Sequence, residues 1–180
     1  MRTVYLLVTI ALFLSVCAVL QAAPIKNEGR GRVSVNGQIL ASACSIHTDD
    51  IRQEILFDTQ SPRTLRNNAG SGEKNFSLRL TNCQLEKETQ GEWKSVSVTF
   101  DGEIVSGNPS LFSVNGDARG VALRVVSKQG EQAFPGLPMN NIPLSQGSNQ
   151  LDYRLQVVPD GKPFEEGHWS GSLRFMVAYQ

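Results

Sequence analysis

Few side chains in this sequence have a type and spacing that could do chemistry. The 180 residues contain three cysteines and two histidines. No CxxC or HxxxH spacing joins Cys17, Cys44, Cys83, His47 and His168, so neither a metal centre nor a cofactor is expected. His168 could be grouped with Asp160 or Ser170 as part of a hydrolytic triad. A triad is defined by geometry that spacing does not supply, and a loop histidine is ordinarily a surface residue. No catalytic residue is therefore expected. Trp93 in GEWKS and Trp169 in GHWSG could stack on a sugar, although both contexts also suit a strand edge. A secreted carbohydrate-binding β-sandwich is thus one reading of the chain. The 17 basic and 17 acidic residues balance and form no basic block, so nucleic acid is not an expected partner, nor is a small-molecule substrate.

The cysteines say more about compartment than about catalysis. The chain begins MRTVYLLVTIALFLSVCAVLQAAP: a positive Arg2, a long hydrocarbon run, then small residues before Pro24. That order is a secretory signal, expected over residues 1–22, with cleavage favoured after Ala22 over Ala23 because proline disfavours the bond before it. Cys17 leaves with the signal. The two cysteines that remain in an exported chain, Cys44 and Cys83, most simply pair with each other. In the chain-entropy model such a long closed loop contributes about 4 kcal/mol.

The elements that would position these residues read as strands. Val33 and Val35 start a run of period two that continues through Ile39 towards Cys44. Similar runs contain Phe76, Leu78 and Leu80; Val96, Val98 and Phe100; Val121, Leu123 and Val125; Tyr153, Leu155 and Val157; and Leu173, Phe175, Val177 and Tyr179. Turn signals separate them: Asp101-Gly102, Asn115-Gly116, Asp160-Gly161, and a loop with three prolines over residues 134–143. Residues 59–73 read as a long surface loop. Short amphipathic strands between such turns predict an all-β, antiparallel, immunoglobulin-like sandwich.

That fold needs about seven strands, and the core runs number about six, the last ending at the carboxyl terminus. A sandwich one strand short exposes apolar side chains and unpaired backbone together. At the other end of the chain, residues 24–35 alternate a charged face with a small or aliphatic one and have nothing evident to pack against. Such a segment suits a strand laid into another molecule's groove.

The stretch APIKNEGRGRVSVNGQILASACSI resembles the mature amino terminus of chaperone–usher pilins, and FSLRLTNC resembles the segment carrying their second cysteine. A glycine fourteenth from the end, Gly167, and a penultimate tyrosine, Tyr179, match the family's carboxyl-terminal signature. The resemblance implies an incomplete immunoglobulin-like sandwich, residues 36–180, lacking its last strand. It implies that residues 23–35 form a donor-strand extension, with Ile25, Asn27, Gly29, Gly31 and Val33 facing the acceptor. It implies that Gly167, Leu173, Phe175, Val177 and Tyr179 belong to the groove-edge strand that a periplasmic chaperone pairs with. The implied partners are that chaperone, an outer-membrane usher and neighbouring pilus subunits, and the implied destination is the cell-surface fimbrium. Within the family, FSLRLTNC, VTFDG and LDYRLQVVPDGKPFEEG look most like a terminating minor subunit of P-type pili; adaptor and rod subunit are the other roles.

Overall fold

The alternating runs are realised as strands of two facing sheets in a computed structural model that describes residue 34 and residues 42–66, 72–87 and 91–180. The signal segment and the expected donor residues Ile25, Asn27, Gly29, Gly31 and Val33 lie outside the described residues. Both sheets belong to the unit Leu40–Gln180.

The larger sheet has six strands, β1 (Ser45–Ile46), β2 (Glu73–Cys83), β4 (Ile104–Val105), β5 (Asn108–Phe112), β7 (Val121–Ser127) and β9 (Gly147–Pro159), in the spatial order β1-β2-β9-β7-β5-β4. All its pairings are antiparallel. The smaller sheet orders β11 (Arg174–Tyr179), β3 (Ser95–Asp101) and β8 (Ile142–Pro143) as β11-β3-β8. A two-stranded piece joins β6 (Asn115–Gly116) to β10 (Trp169–Ser170).

Period two puts Phe76, Leu78 and Leu80 of β2 on the face that also carries Leu151, Tyr153, Leu155 and Val157 of β9. From the opposite sheet come Val96, Val98 and Phe100. The Phe100 ring lies edge-on to Tyr153 at 5.0 Å and to Phe76 at 5.9 Å, so aromatic contacts tie one sheet to the other. The outward face of the large sheet is not wholly polar. Val105, Leu111, Ala122 and Val158 form a second, small buried cluster there.

Three local features depart from the sequence reading or were not foreseen by it. Asn115-Gly116 is a strand rather than a hairpin turn, because Gly116 lies directly against the His168 carbonyl and a Cβ would collide with it. The expected loop 59–73 contains a helix, α2 (Pro62–Arg66), following the first helix α1 (Thr48–Ile51). Ser61 Oγ accepts the Thr64 amide at 3.2 Å, and Pro62 costs no hydrogen bond at the first helical position. This helix buries Leu65 in the core, so the segment is not simply surface. Third, β5 had no alternation to announce it, since Asn108-Pro109-Ser110 leads into the adjacent buried pair Leu111 and Phe112.

Candidate functional site

Among the described residues, the last strand pairs with β3 alone. Along β11, Phe175, Val177 and Tyr179 stand opposite Phe100, Val98 and Val96 of β3. These three side chains are half-buried against the core, while Arg174, Met176 and Ala178 point to solvent. Among the described residues, no strand pairs with the other edge of β11. Gln180 extends the register past the strand, exchanging backbone hydrogen bonds with Ser95.

Beside this edge opens a groove of about 1690 Å³ whose floor is the core itself, including Phe76, Leu78, Phe100, Leu123 and Leu155. One wall carries Gly171, Leu173 and Phe175. The other is the segment 52–62, which leaves α1 and runs extended towards α2. Beyond the end of α1, no backbone-to-backbone hydrogen bond links residues 53–60 to another described residue. Side chains hold the segment instead. Gln53 Nε2 donates to the Ser77 carbonyl at 2.8 Å, and Lys74 Nζ meets Asp58 at 2.8 Å. The Lys74 ammonium holds the Asp58 carboxyl below its usual range.

At the start of this wall stands Asp50, buried at 5% exposure. Its carboxylate accepts from the Arg79 amide at 2.7 Å and from Arg79 Nε and Nη2 at 2.9 and 2.7 Å. The Arg79 side-chain hydrogen bonds are the main cause holding the Asp50 carboxyl below its ordinary value, against the opposing effect of burial. At one end of the groove the two walls touch. Phe57, from the extended wall, packs against Trp169 of β10 with ring centroids 5.5 Å apart.

Cys44 and Cys83 are bonded to each other, closing a span of 39 residues that includes α1, the extended wall and α2. Tyr179 ends β11 beside this bridge. Its hydroxyl donates to the Cys44 carbonyl at 3.3 Å, its ring lies 6.1 Å from Trp93, and burial raises its phenol pKa. Lys87 Nζ lies 4.2 Å above the Trp93 ring.

Of the groove-edge residues expected from the sequence, Gly167, Leu173 and Phe175 line the groove, whereas Val177 and Tyr179 lie farther along β11, towards the disulfide. Gly167 is packed so closely that a Cβ would lie 2.6 Å from the Ala118 amide nitrogen. His168 contributes its carbonyl oxygen to the Asp117 and Ala118 amides. Trp93 and Trp169 are both half-buried against the core. The wall 52–62 and the Phe57–Trp169 contact were missed by sequence reasoning. The apolar cluster Ile55, Leu56 and Phe57 was the available signal.

The model of the fimbrial protein family matches residues 33–180. The chain belongs to the fimbrial protein family. It is a structural pilus subunit of the exported, surface-assembled kind, and its all-β, immunoglobulin-like fold is that of pilins. A PRS fimbrial minor pilin protein of Escherichia coli is 33% identical over 152 residues, covering 83% of this chain and 77% of that one. A PRS fimbrial major pilin protein of the same species is 30% identical over 164 residues, covering 88% and 98%. Among solved structures, that of a chaperone–usher pilus, concerned with the molecular basis of rod uncoiling, aligns with TM-score 0.67 and 28% identity, over 88% of this fimbrial protein and 100% of that chain.

Proposed function

We propose that this fimbrial protein is a minor subunit of a chaperone–usher pilus, completed by a strand from a partner and itself donating residues 23–35. The observation that carries the reading is the unpaired edge of β11 beside a groove floored by the core. A strand added at that edge gains a row of main-chain hydrogen bonds and seats alternate side chains in the groove. In the periplasm the strand comes from a chaperone; at the outer-membrane usher it is exchanged for the extension of the next subunit. Residues 1–22 are the signal and residues 36–180 the pilin domain in this scheme. Because each subunit donates at one surface and accepts at another, the contact does not close on itself and propagates a fibre.

The terminating role is supported by a further observation. A strand pairing antiparallel to β11 places its carboxyl-terminal residues opposite the beginning of β11. That is the end of the groove near Trp169, where Phe57 makes its contact. A subunit whose groove is obstructed there would hold a chaperone strand yet resist exchange for another subunit's extension. Mixing the chaperone-bound protein with a peptide copying another subunit's extension tests this. Slow release of the chaperone is expected, becoming fast in Phe57→Ala. Fast release from the unaltered protein would refute the terminating role and leave an adaptor or rod subunit. Failure of any chaperone to co-purify with the chain would refute the strand-completion reading itself.

A further inference from the structure

A second cavity of about 390 Å³ is lined by residues of β5, β7 and β9 together with Leu65 of α2. Such a volume is within the range of small-molecule sites. Its polar lining is Arg124 of β7, Asn108 and Ser110 of β5, and Gln132; Leu65, Leu111, Val158 and Pro159 complete it. Arg124 is the one charged group among the described residues that line it.

The hydrogen bonds around the cavity leave a defined set of free groups. Arg124 Nε donates to Gln156 Oε1 at 2.8 Å, which orients the guanidinium from the strand next door. Gln156 Nε2 in turn donates to Glu73 Oε2 at 2.5 Å. Glu73 has its own cation, Arg154 Nη1, at 3.5 Å. Neither terminal nitrogen of Arg124 has a hydrogen bond or ion pair to a described residue. Asn108 Oδ1 is taken up by the amide and hydroxyl of Ser110, leaving its Nδ2 as a free donor. Gln132 Nε2 donates to the Ser110 carbonyl at 2.8 Å, leaving its Oε1 as a free acceptor. The free groups are therefore a half-buried guanidinium fork, an amide donor and an amide acceptor.

We propose that this cavity binds a small hydroxylated carboxylate, of the size and chemistry of a uronic acid. The carboxylate meets the Arg124 fork in a bidentate pair, Asn108 Nδ2 adds a donor, and a ligand hydroxyl donates to Gln132 Oε1. Leu65 of α2 lines both this cavity and the strand-accepting groove, but Arg124, Asn108 and Gln132 line only this one, so the ligand contacts are separate from the strand-accepting edge.

The test is titration of the chaperone-bound protein with D-glucuronate, D-glucose, acetate and phosphate, followed by amide chemical shifts of β5 and β7. Glucuronate should bind at least tenfold more tightly than glucose and than acetate. Asn108→Asp keeps the acceptor for Ser110 while placing a negative charge in the cavity, and should abolish glucuronate binding without lowering chaperone capture. Arg124→Gln should do the same, with Asn108→Asp deciding the matter if Arg124→Gln fails to fold. Equal shifts with glucose and glucuronate, phosphate outcompeting glucuronate, undiminished binding by Asn108→Asp, or no response at tens of millimolar would each overturn the proposal.

Discussion

Removal of the Cys44–Cys83 bridge is the perturbation whose size follows most directly from the fold. The bridge closes a span of 39 residues. In the chain-entropy model, cross-linking a loop of that length removes about 13 cal/mol/K from the unfolded chain, or about 4 kcal/mol at room temperature. Both sulfurs are buried in the core, so Cys44→Ala with Cys83→Ala also leaves small voids that add to the loss. The closed span is not neutral in its content. It includes α1, the groove wall 52–62 and α2, and that wall is held by side chains rather than by a backbone ladder. Unbridged, the wall can leave the core at lower free-energy cost than the rest of the sandwich. The assay is urea unfolding of the protein carrying a copy of residues 25–33 fused after Gln180, read by the fluorescence of Trp93 and Trp169. With an m-value of about 2 kcal/mol/M, the midpoint should fall by about 2 M. A fall of less than about 0.5 M would refute the loop-entropy reasoning. A large fall in the midpoint without faster hydrogen exchange over 52–62 would refute the assignment of the loosening to the wall.

Three other outcomes follow from named contacts, and a fourth from the proposed donor role. The Asp50 carboxyl is held below its ordinary 3.8 by Arg79, so its stabilisation is present above that value and is lost as pH falls through the lowered folded-state pKa. Asp50→Asn should cost about 1–2 kcal/mol at neutral pH and flatten the acid limb of the stability profile; an unchanged acid limb would contradict the pairing. Phe175→Glu places a charge opposite Phe100 without a partner and should abolish co-purification with the chaperone, whereas wild-type capture would argue against β11 as the pairing edge. Among the described residues the buried Tyr153 hydroxyl has no hydrogen-bond partner, and burial chiefly raises its pKa. Tyr153→Phe should therefore leave the melting temperature unchanged or raise it, and a loss above about 1 kcal/mol would reveal a partner for the hydroxyl. Deleting residues 24–32 should leave chaperone binding intact and prevent incorporation into pili, as seen by whole-cell immunoblot; incorporation without them would refute their role as donor.

The strands were legible in the sequence where side-chain alternation is a local property. The runs at Phe76, Val96, Val121, Tyr153 and Phe175 each became part of a strand, because period two needs only the pleat and one buried face. The pairing of Cys44 with Cys83 was legible for a different reason: two cysteines in an exported chain leave few alternatives. Membership of the family was legible from residues 23–46 and 76–83 and from Gly167 and Tyr179. What the sequence did not reveal depends on contacts between residues far apart in the chain. The pairing of Asn115-Gly116 with Trp169-Ser170 requires a close backbone approach that turn propensity does not report. Leu65 is buried because α2 lies on the core, not because its neighbours alternate. The wall at 52–62 has no backbone ladder, so no periodic pattern marks it, and its place is set by Ser77, Lys74 and Trp169 reaching it from elsewhere. Local periodicity determined which segments are strands; only tertiary packing decided which edge stays open, what faces it across the groove, and where the two walls meet.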